Sequence, residues 1–298
     1  MINSFPKIFA LGQSYVKSIL DDPIEITEKV DGSQFAFGLI DDILHARSKG
    51  QEINILQPEK MFRKAIDYIS SISHLLPNNH IFYCEYLNKE KHNVLNYSRI
   101  PKNNLALFAV YDKNEDKFLS ERLDTFAELL GIENVPIFAN GKHDNIKIDS
   151  TLDRKSFLGG CKIEGFVIKN YHRPFLLGGQ PIPIMCAKYV SESFKEVHKK
   201  SWKTENTGKG KWETFKDNYR TEARWYKAIQ HLRDSGELEN SPRDIGKLLI
   251  EIKKDITEEE QEIIKEFLWR EFGEELLRNS IRGFPEFYKR HLAESINQ

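Results

Sequence analysis

Five short stretches constrain the fold most: Ile24–Thr27, Phe35–Ile40, His80–Tyr86, Leu105–Tyr111 and Gly165–Ile168. Several carry Val, Ile, Phe or Tyr on alternate positions, the period of a half-buried strand. Helical patterns lie between them. Glu59–Ile72 places Met61, Phe62, Ala65, Ile66 and Ile69 near a 3.6-residue period. Strands and helices mix here without strict strand–helix–strand alternation, so an α+β fold is expected rather than a doubly wound one.

That pattern covers only the first two-thirds of the chain. From about His198 to Lys227 the sequence is polar and basic. It holds Thr207-Gly208-Lys209-Gly210 and the aromatics Trp202, Trp212, Phe215, Tyr219, Trp225 and Tyr226. Beyond it nearly every pattern is helical. Ile256-Thr257 reads as a helix start, with Glu258 to Glu260 in the first turn, where acid suits the helix dipole. Glu274–Ile281 and Glu286–Ile296 read as further helices. A domain boundary is expected near residue 200, giving a mixed domain over 1–197 and a helical one over 198–298.

With 298 residues, 40% of them hydrophobic and 30% charged, both domains can bury a core without disulfide staples. The net charge of −1 leaves partner type open, because basic residues gathered on one face vanish in a total. Cys84, Cys161 and Cys186 form no CxxC pair and are too few for a four-cysteine zinc site. They read as reduced and intracellular. No run of 18 apolar residues and no signal-peptide core occur, so a soluble, cytoplasmic protein is expected, with no membrane partner.

The strongest local signal is Glu28-Lys29-Val30-Asp31-Gly32, with strand patterns on both sides. Taken alone it reads as a hairpin turn with a solvated lysine, since Asp-Gly is a good turn pair. Its chemical reading is a lysine nucleophile fixed at a strand end. Such a lysine attacks only as the neutral amine, a job arginine cannot do. The second signal is Glu164-Gly165-Phe166-Val167-Ile168-Lys169. Taken alone it is a buried strand with charged ends. Its chemical reading is a carboxylate for a divalent cation and a lysine for phosphate. Arg47-Ser48-Lys49-Gly50, Cys84-Glu85-Tyr86, Leu107-Phe108-Ala109-Val110-Tyr111-Asp112 and Ala187-Lys188-Tyr189-Val190, with Phe194 and Lys195 after it, are each ordinary surface or core by themselves.

Their order and spacing carry more. Lys29-Val30-Asp31-Gly32, Glu85, Phe108, Glu164-Gly165 with Lys169, and Lys188 follow one another as five elements, with 135 residues from Lys29 to Glu164. The succession resembles the covalent nucleotidyltransferase superfamily of DNA ligases, RNA ligases and capping enzymes. Within it, Phe5-Pro6-Lys7-Ile8, Glu25 to Gln34, Glu85-Tyr86-Leu87, Lys91-His92-Asn93 and Tyr97 are most similar to the RNA ligase 2-like group. The resemblance covers roughly residues 5 to 197. Two positions depart from it: Gln34 stands where many relatives have arginine, and Cys186 where the fifth motif usually opens with lysine.

The resemblance implies a nucleotidyltransferase core of twisted, mainly antiparallel sheets with flanking helices, plus an all-helical C-terminal domain. It implies an ATP-dependent ligase that joins a 3′-hydroxyl to a 5′-phosphate RNA end through an adenylate on Lys29, with Mg2+ or Mn2+. Glu28 would accept from the adenine amino group. Arg47 and Glu85 would hold ribose or phosphate, and Phe108, with Tyr111 as its rival, would stack on the base. Glu164 would bind or orient metal, and Lys169 and Lys188 would neutralise the α-phosphate. Expected partners are RNA ends, nicked or broken, and an end-healing kinase or phosphatase. The basic aromatic stretch would follow a nucleic-acid backbone, or else be a linker packed on the helical domain. The rival readings are a DNA nick ligase, disfavoured by a C-terminal third that reads as helices and not as a small β-barrel, and a decayed nucleic-acid-binding protein.

Overall fold

The computed structural model describes residues 2–142, 154–177, 180–190, 212, 215–216, 219–220 and 222–296. The expected boundary near residue 200, Phe194, Lys195 and most of the basic stretch lie outside the described residues. The chain divides into two compact units, Met1–Ile252 and Lys253–Gln298.

Among the described residues the strands are, in chain order, β1 (Phe9–Ala10), β2 (Ile24–Lys29), β3 (Ser33–Ile40), β4 (Ile43–Ser48), β5 (Glu52–Ile53), β6 (His80–Tyr86), β7 (Leu105–Asp112), β8 (Lys117–Leu119), β9 (Glu133–Asn134), β10 (Ile137–Gly141), β11 (Gly165–Asn170), β12 (Phe175–Leu177), β13 (Gln180–Ile182) and β14 (Met185–Val190). The helices are α1 (Arg63–Ser71), α2 (Leu123–Leu129), α3 (Glu222–Asp234), α4 (Ile245–Ser280) and α5 (Phe284–Ile296). One sheet has the order β1-β14-β11-β2-β10 and the other β5-β4-β3-β6-β7-β8, with β9 also on β7; β12 and β13 form a separate ribbon. Every pairing in the two sheets is antiparallel except β1 with β14 and β7 with β9. This is the α+β architecture of mainly antiparallel sheets expected from the sequence.

Period-2 alternation gives each sheet two distinct faces. The outer face of the first sheet buries Ile24, Ile26, Phe166, Ile168, Met185 and Ala187 with Phe9, Val16 and Ile19. The outer face of the second buries Phe35, Phe37, Phe82, Cys84, Tyr86, Leu105 and Leu107 under Ala65, Ile66 and Ile69 of α1 and Phe126 and Ala127 of α2. Each such aromatic or aliphatic side chain contributes about 1.5–3 kcal/mol by leaving water. Between the sheets, Ala36, Ile81, Tyr83 and Ala109 of the second meet Cys186 of the first, joined by Ile2, Phe5 and Ile184. The two inner faces therefore close on each other around this cluster, and the polar residues beside it line the same inter-sheet space.

Two sequence readings change. Asp31-Gly32 is no hairpin turn, because β2 and β3 lie in different sheets and the segment is the crossover between them. Gly32 is absent from the positive-φ glycines. It is needed for close approach instead: a Cβ there would sit 2.7 Å from the Tyr86 carbonyl oxygen and 2.8 Å from Glu85 Cγ. In the C-terminal third, Ile256-Thr257 does not open a helix and Glu274–Ile281 is not a separate one. The first falls within the 36-residue α4 and the second is the end of that helix and the residue after it; α4 follows a capping box of Ser241 with Asp244. Among the described residues no helix is long and apolar enough to cross a membrane, and Cys84, Cys161 and Cys186 are free thiols.

Candidate active site

On the inner face of the first sheet, β2 presents Glu25, Thr27 and Lys29. The register sets Lys29 opposite Gly165, Thr27 opposite Val167 and Glu25 opposite Lys169; on the far side of β11, Val167 faces Lys188 and Lys169 faces Cys186. Gly165 leaves no side chain between Lys29 and Val190, and a Cβ there would lie 2.1 Å from the Tyr189 carbonyl oxygen. The residue before it, Glu164, takes the Lys29 ammonium: Nζ donates to Oε2 at 2.6 Å. Burial pulls the Lys29 pKa down and is the largest single influence. The charges of Glu164, then Asp31 and Glu85, outweigh it, so Lys29 stands above the ordinary lysine value. Glu164 is raised by burial, against the pull of Lys29 and Lys188.

The second sheet supplies Glu85. Burial pushes its carboxyl up to about 8, although Lys29 opposes this. Its Oε1 accepts the Gly32 N–H at 3.0 Å. Directly opposite Glu85 on β3 is Gln34, whose Nε2 is buried without a partner. Asp31 is pinned by its side chain: Oδ2 accepts the Val94 and Leu95 N–H groups, each at 2.8 Å. Its own N–H donates to the Tyr97 hydroxyl at 2.8 Å. The crossover after Lys29 is thus fixed residue by residue.

The structure brings Lys29, Glu85, Glu164 and Lys188 into one electrostatic group. It places the other sequence candidates differently. Glu28 points to the opposite face of β2, where its carboxylate accepts from the Ser156 hydroxyl and, at 3.1 Å, from the Phe157 N–H. Burial raises its pKa and these two bonds oppose the rise. Arg47 donates Nη1 to the Ile2 carbonyl at 2.9 Å and Nε to that of Ser48 at 3.1 Å, so it clasps the N-terminal segment. Lys169 is 1% exposed and spends its ammonium on Glu25 Oε1 at 2.9 Å and on the Phe108 carbonyl at 2.5 Å.

Phe108 is the extra residue where the β6–β7 register slips between Tyr83–Ala109 and Cys84–Leu107. A bulge frees and re-aims a backbone group, and here it turns a carbonyl of one sheet toward a lysine of the other. The Phe108 ring packs edge-on against Phe5 at 5.0 Å. Tyr111 lies farther along β7, with its hydroxyl on Asp116 and its ring on Phe118. In the C-terminal stretch, Trp212 stacks on Phe215, which meets Tyr219 edge-on.

Sequence reasoning gave no role to Glu25, Ser33, Ser156, Gln230 or Asp234. Glu25 had a usable signal: Glu25, Thr27 and Lys29 alternate on β2, so one polar face had to meet something other than a hydrophobic core. Ser156 and Gln230 had none, because their partners lie 128 and 198 positions away.

The residues present suit a nucleotide with a divalent cation. A buried amide donor without a partner (Gln34) calls for an acceptor. Among the described residues no cluster of three or more His, Cys, Asp or Glu residues forms, and Mg2+ takes only one or two protein carboxylates when substrate phosphates supply the rest. Two facing sheets thus bring together a lysine at the end of β2, a carboxylate in contact with it and a second lysine, Lys188, two strands away on β14.

The chain belongs to the RNA ligase family, whose model matches residues 22–190, more than half of it. Among solved structures it is similar to the Naegleria gruberi RNA ligase. A mutant with ATP and Mn is 18% identical, with a TM-score of 0.47, over 66% of this chain and 58% of that one. The ligase with PPi is 20% identical, with a TM-score of 0.46, over 67% and 61%. The chain thus spans about three-fifths of the solved structures it matches. No curated protein matches the sequence.

Proposed function

We propose that this protein is an ATP-dependent RNA ligase that works through an adenylate on Lys29. The observation that carries the reading is the contact of Lys29 with Glu164, 2.6 Å at the end of two paired strands, in a chain of the RNA ligase family. Lys29 Nζ, as the neutral amine, attacks the α-phosphorus of ATP; a P–N bond forms and the P–O bond to pyrophosphate breaks. The AMP then passes to a 5′-phosphate RNA end, and Lys29 leaves as the amine. A 3′-hydroxyl finally attacks that end, a phosphodiester forms and AMP departs. All three are phosphoryl displacements, governed by positioning and charge neutralisation.

In this scheme Lys188 neutralises the α-phosphate and Gln34 donates to a nucleotide oxygen. Glu164 would hold Mg2+ or Mn2+, which would draw electron density from the phosphate. Phe108, with Tyr111 as its rival on the same strand, is the base-stacking candidate. The nucleotidyltransferase region is residues 1–197; residues 198–298 engage RNA ends. A cytoplasmic setting and an end-healing kinase or phosphatase that prepares the ends complete the proposal.

Intact-protein mass spectrometry after incubation with ATP and Mg2+ tests it. The wild type gains one AMP and Lys29→Ala gains none. Folded protein free of pre-bound AMP that gains nothing from ATP overturns the reading and leaves a nucleic-acid-binding protein in its place.

A further inference from the structure

Helix α3 reaches the reverse side of the crossover that carries Lys29. Gln230 donates Nε2 to the Gly32 carbonyl at 2.6 Å, and the same oxygen accepts Asn93 Nδ2 at 2.8 Å. With the Gly32 N–H on Glu85, both peptide groups flanking Gly32 are held.

Ser33 is itself fixed from the other side. The Asn88 N–H donates to His92 Nδ1 at 3.0 Å, so the proton of the neutral ring sits on Nε2. That Nε2 donates to Ser33 Oγ at 2.9 Å. The C-terminal end of α3 is anchored again by Gln51, whose Nε2 donates to the Ser235 carbonyl at 2.8 Å. The mechanism above uses none of Gln230, Asn93, Ser33, His92 and Gln51.

We infer that Gln230 is a positioning residue for Lys29, locking the Asp31–Ser33 segment from behind so that the reacting amine is held only while α3 is docked. This rests on the ligase reading of Lys29 and deepens it. A hydrogen bond from a residue 198 positions away makes the geometry of the nucleophile depend on the part of the chain that follows the nucleotidyltransferase region. A nucleophile displaced by a fraction of an ångström loses rate at the chemical step, without loss of nucleotide affinity.

The test compares the wild type with Gln230→Ala and with Gln230→Glu, which keeps the shape of the side chain but lacks its amide donor. Three quantities are read: the single-turnover adenylation rate constant and KM for ATP with Mg2+, the melting temperature, and hydrogen exchange of the peptide covering residues 28–34. Both variants are expected to slow adenylation about tenfold at saturating ATP, with KM within about twofold of wild type, and to speed exchange in that peptide. A lowered melting temperature with an unchanged rate constant for folded protein means a structural role only and overturns the inference. Absence of an adduct on the wild type overturns the ligase reading instead; exchange then decides alone, and unchanged exchange in Gln230→Ala overturns the lock.

Discussion

Lys29 Nζ and Glu164 Oε2 lie 2.6 Å apart although 135 positions separate them in the chain. The β2–β11 register produces the contact, because Lys29 pairs with Gly165 and Glu164 is the residue just before it. A carboxylate this close keeps the amine protonated, so Glu164 acts against catalysis until its charge is engaged elsewhere. The same carboxylate is the candidate metal ligand, and the two roles predict opposite results. If metal binding dominates, Glu164→Gln lowers the adenylation rate on the order of 10²-fold, the size seen when a group stabilising transition-state charge is lost. Time-resolved intact mass measures this. A faster variant would assign Glu164 to holding the Lys29 proton alone.

Lys169 joins the two sheets through a fully buried pair. Its ammonium bonds Glu25, which is 2% exposed and keeps Oε2 unpartnered, and it crosses to the Phe108 carbonyl. Removing one member of such a pair strands the other charge, which typically costs about 3–5 kcal/mol, whereas replacing both is far milder. Lys169→Met is therefore expected to lose about that much stability in urea unfolding, and Lys169→Met with Glu25→Gln to regain most of it. A small loss in the single variant would leave Lys169 free for the phosphate role that its motif position implies.

Gly165 and Gly32 are both required by packing. At Gly165 a Cβ would meet backbone at 2.1 and 2.8 Å, and backbone cannot swing away as a side chain can. Gly165→Ala is expected to cost on the order of 1–3 kcal/mol or to leave the chain unfolded, with Gly32→Ala similar. Gly246 in α4 has nothing within 4 Å of a Cβ, so Gly246→Ala is the control and is expected to raise stability by up to about 1 kcal/mol. Melting temperatures of the three variants decide the ranking.

The family is legible in the order and spacing of five short elements, since a lysine before Asp-Gly or an acid before Gly taken alone reads as a turn or a strand end. Strand faces were legible too, since the period-2 pattern of Phe35 and Phe37 names the buried side. Strand partners were not. Alternation is the same whichever sheet a strand joins, so Lys29-Val30-Asp31-Gly32 read as a hairpin when it is a crossover. The bulge at Phe108 is invisible for a related reason: it is a property of two strands, not of one. Arg47 and Lys169 read as free cations because sequence shows charge but not the carbonyls that accept it. In α4, the acids Glu258 to Glu260 imitate a first turn, while the true cap at Ser241 lies well upstream.

His92 sets a pH dependence that can be isolated. Burial is the largest influence and lowers its pKa to about 4; Asp31 opposes this, while Arg233 and Lys89 reinforce it. The groups in contact with the ring are Ser33, the Asn88 N–H and the edge of Tyr86. The unfolded chain titrates near the ordinary histidine value of about 6.5. Between these values the unfolded state binds more protons than the folded one, so stability is full above about pH 6.5 and falls as pH drops toward 4. The loss is on the order of 3 kcal/mol across that window. Glu85 and Asp234, raised to about 8 and about 7, act in the other direction: the folded state holds their protons, and stability declines as pH rises toward those values. A comparison of unfolding free energies for wild type and His92→Gln from pH 4.5 to 7.5 separates the two effects, because the carboxyl contribution is common to both proteins. The difference is expected to shrink steadily toward acid. Parallel curves would mean that His92 binds protons equally well folded and unfolded, so that burial and the hydrogen bond from Asn88 to Nδ1 do not hold it neutral.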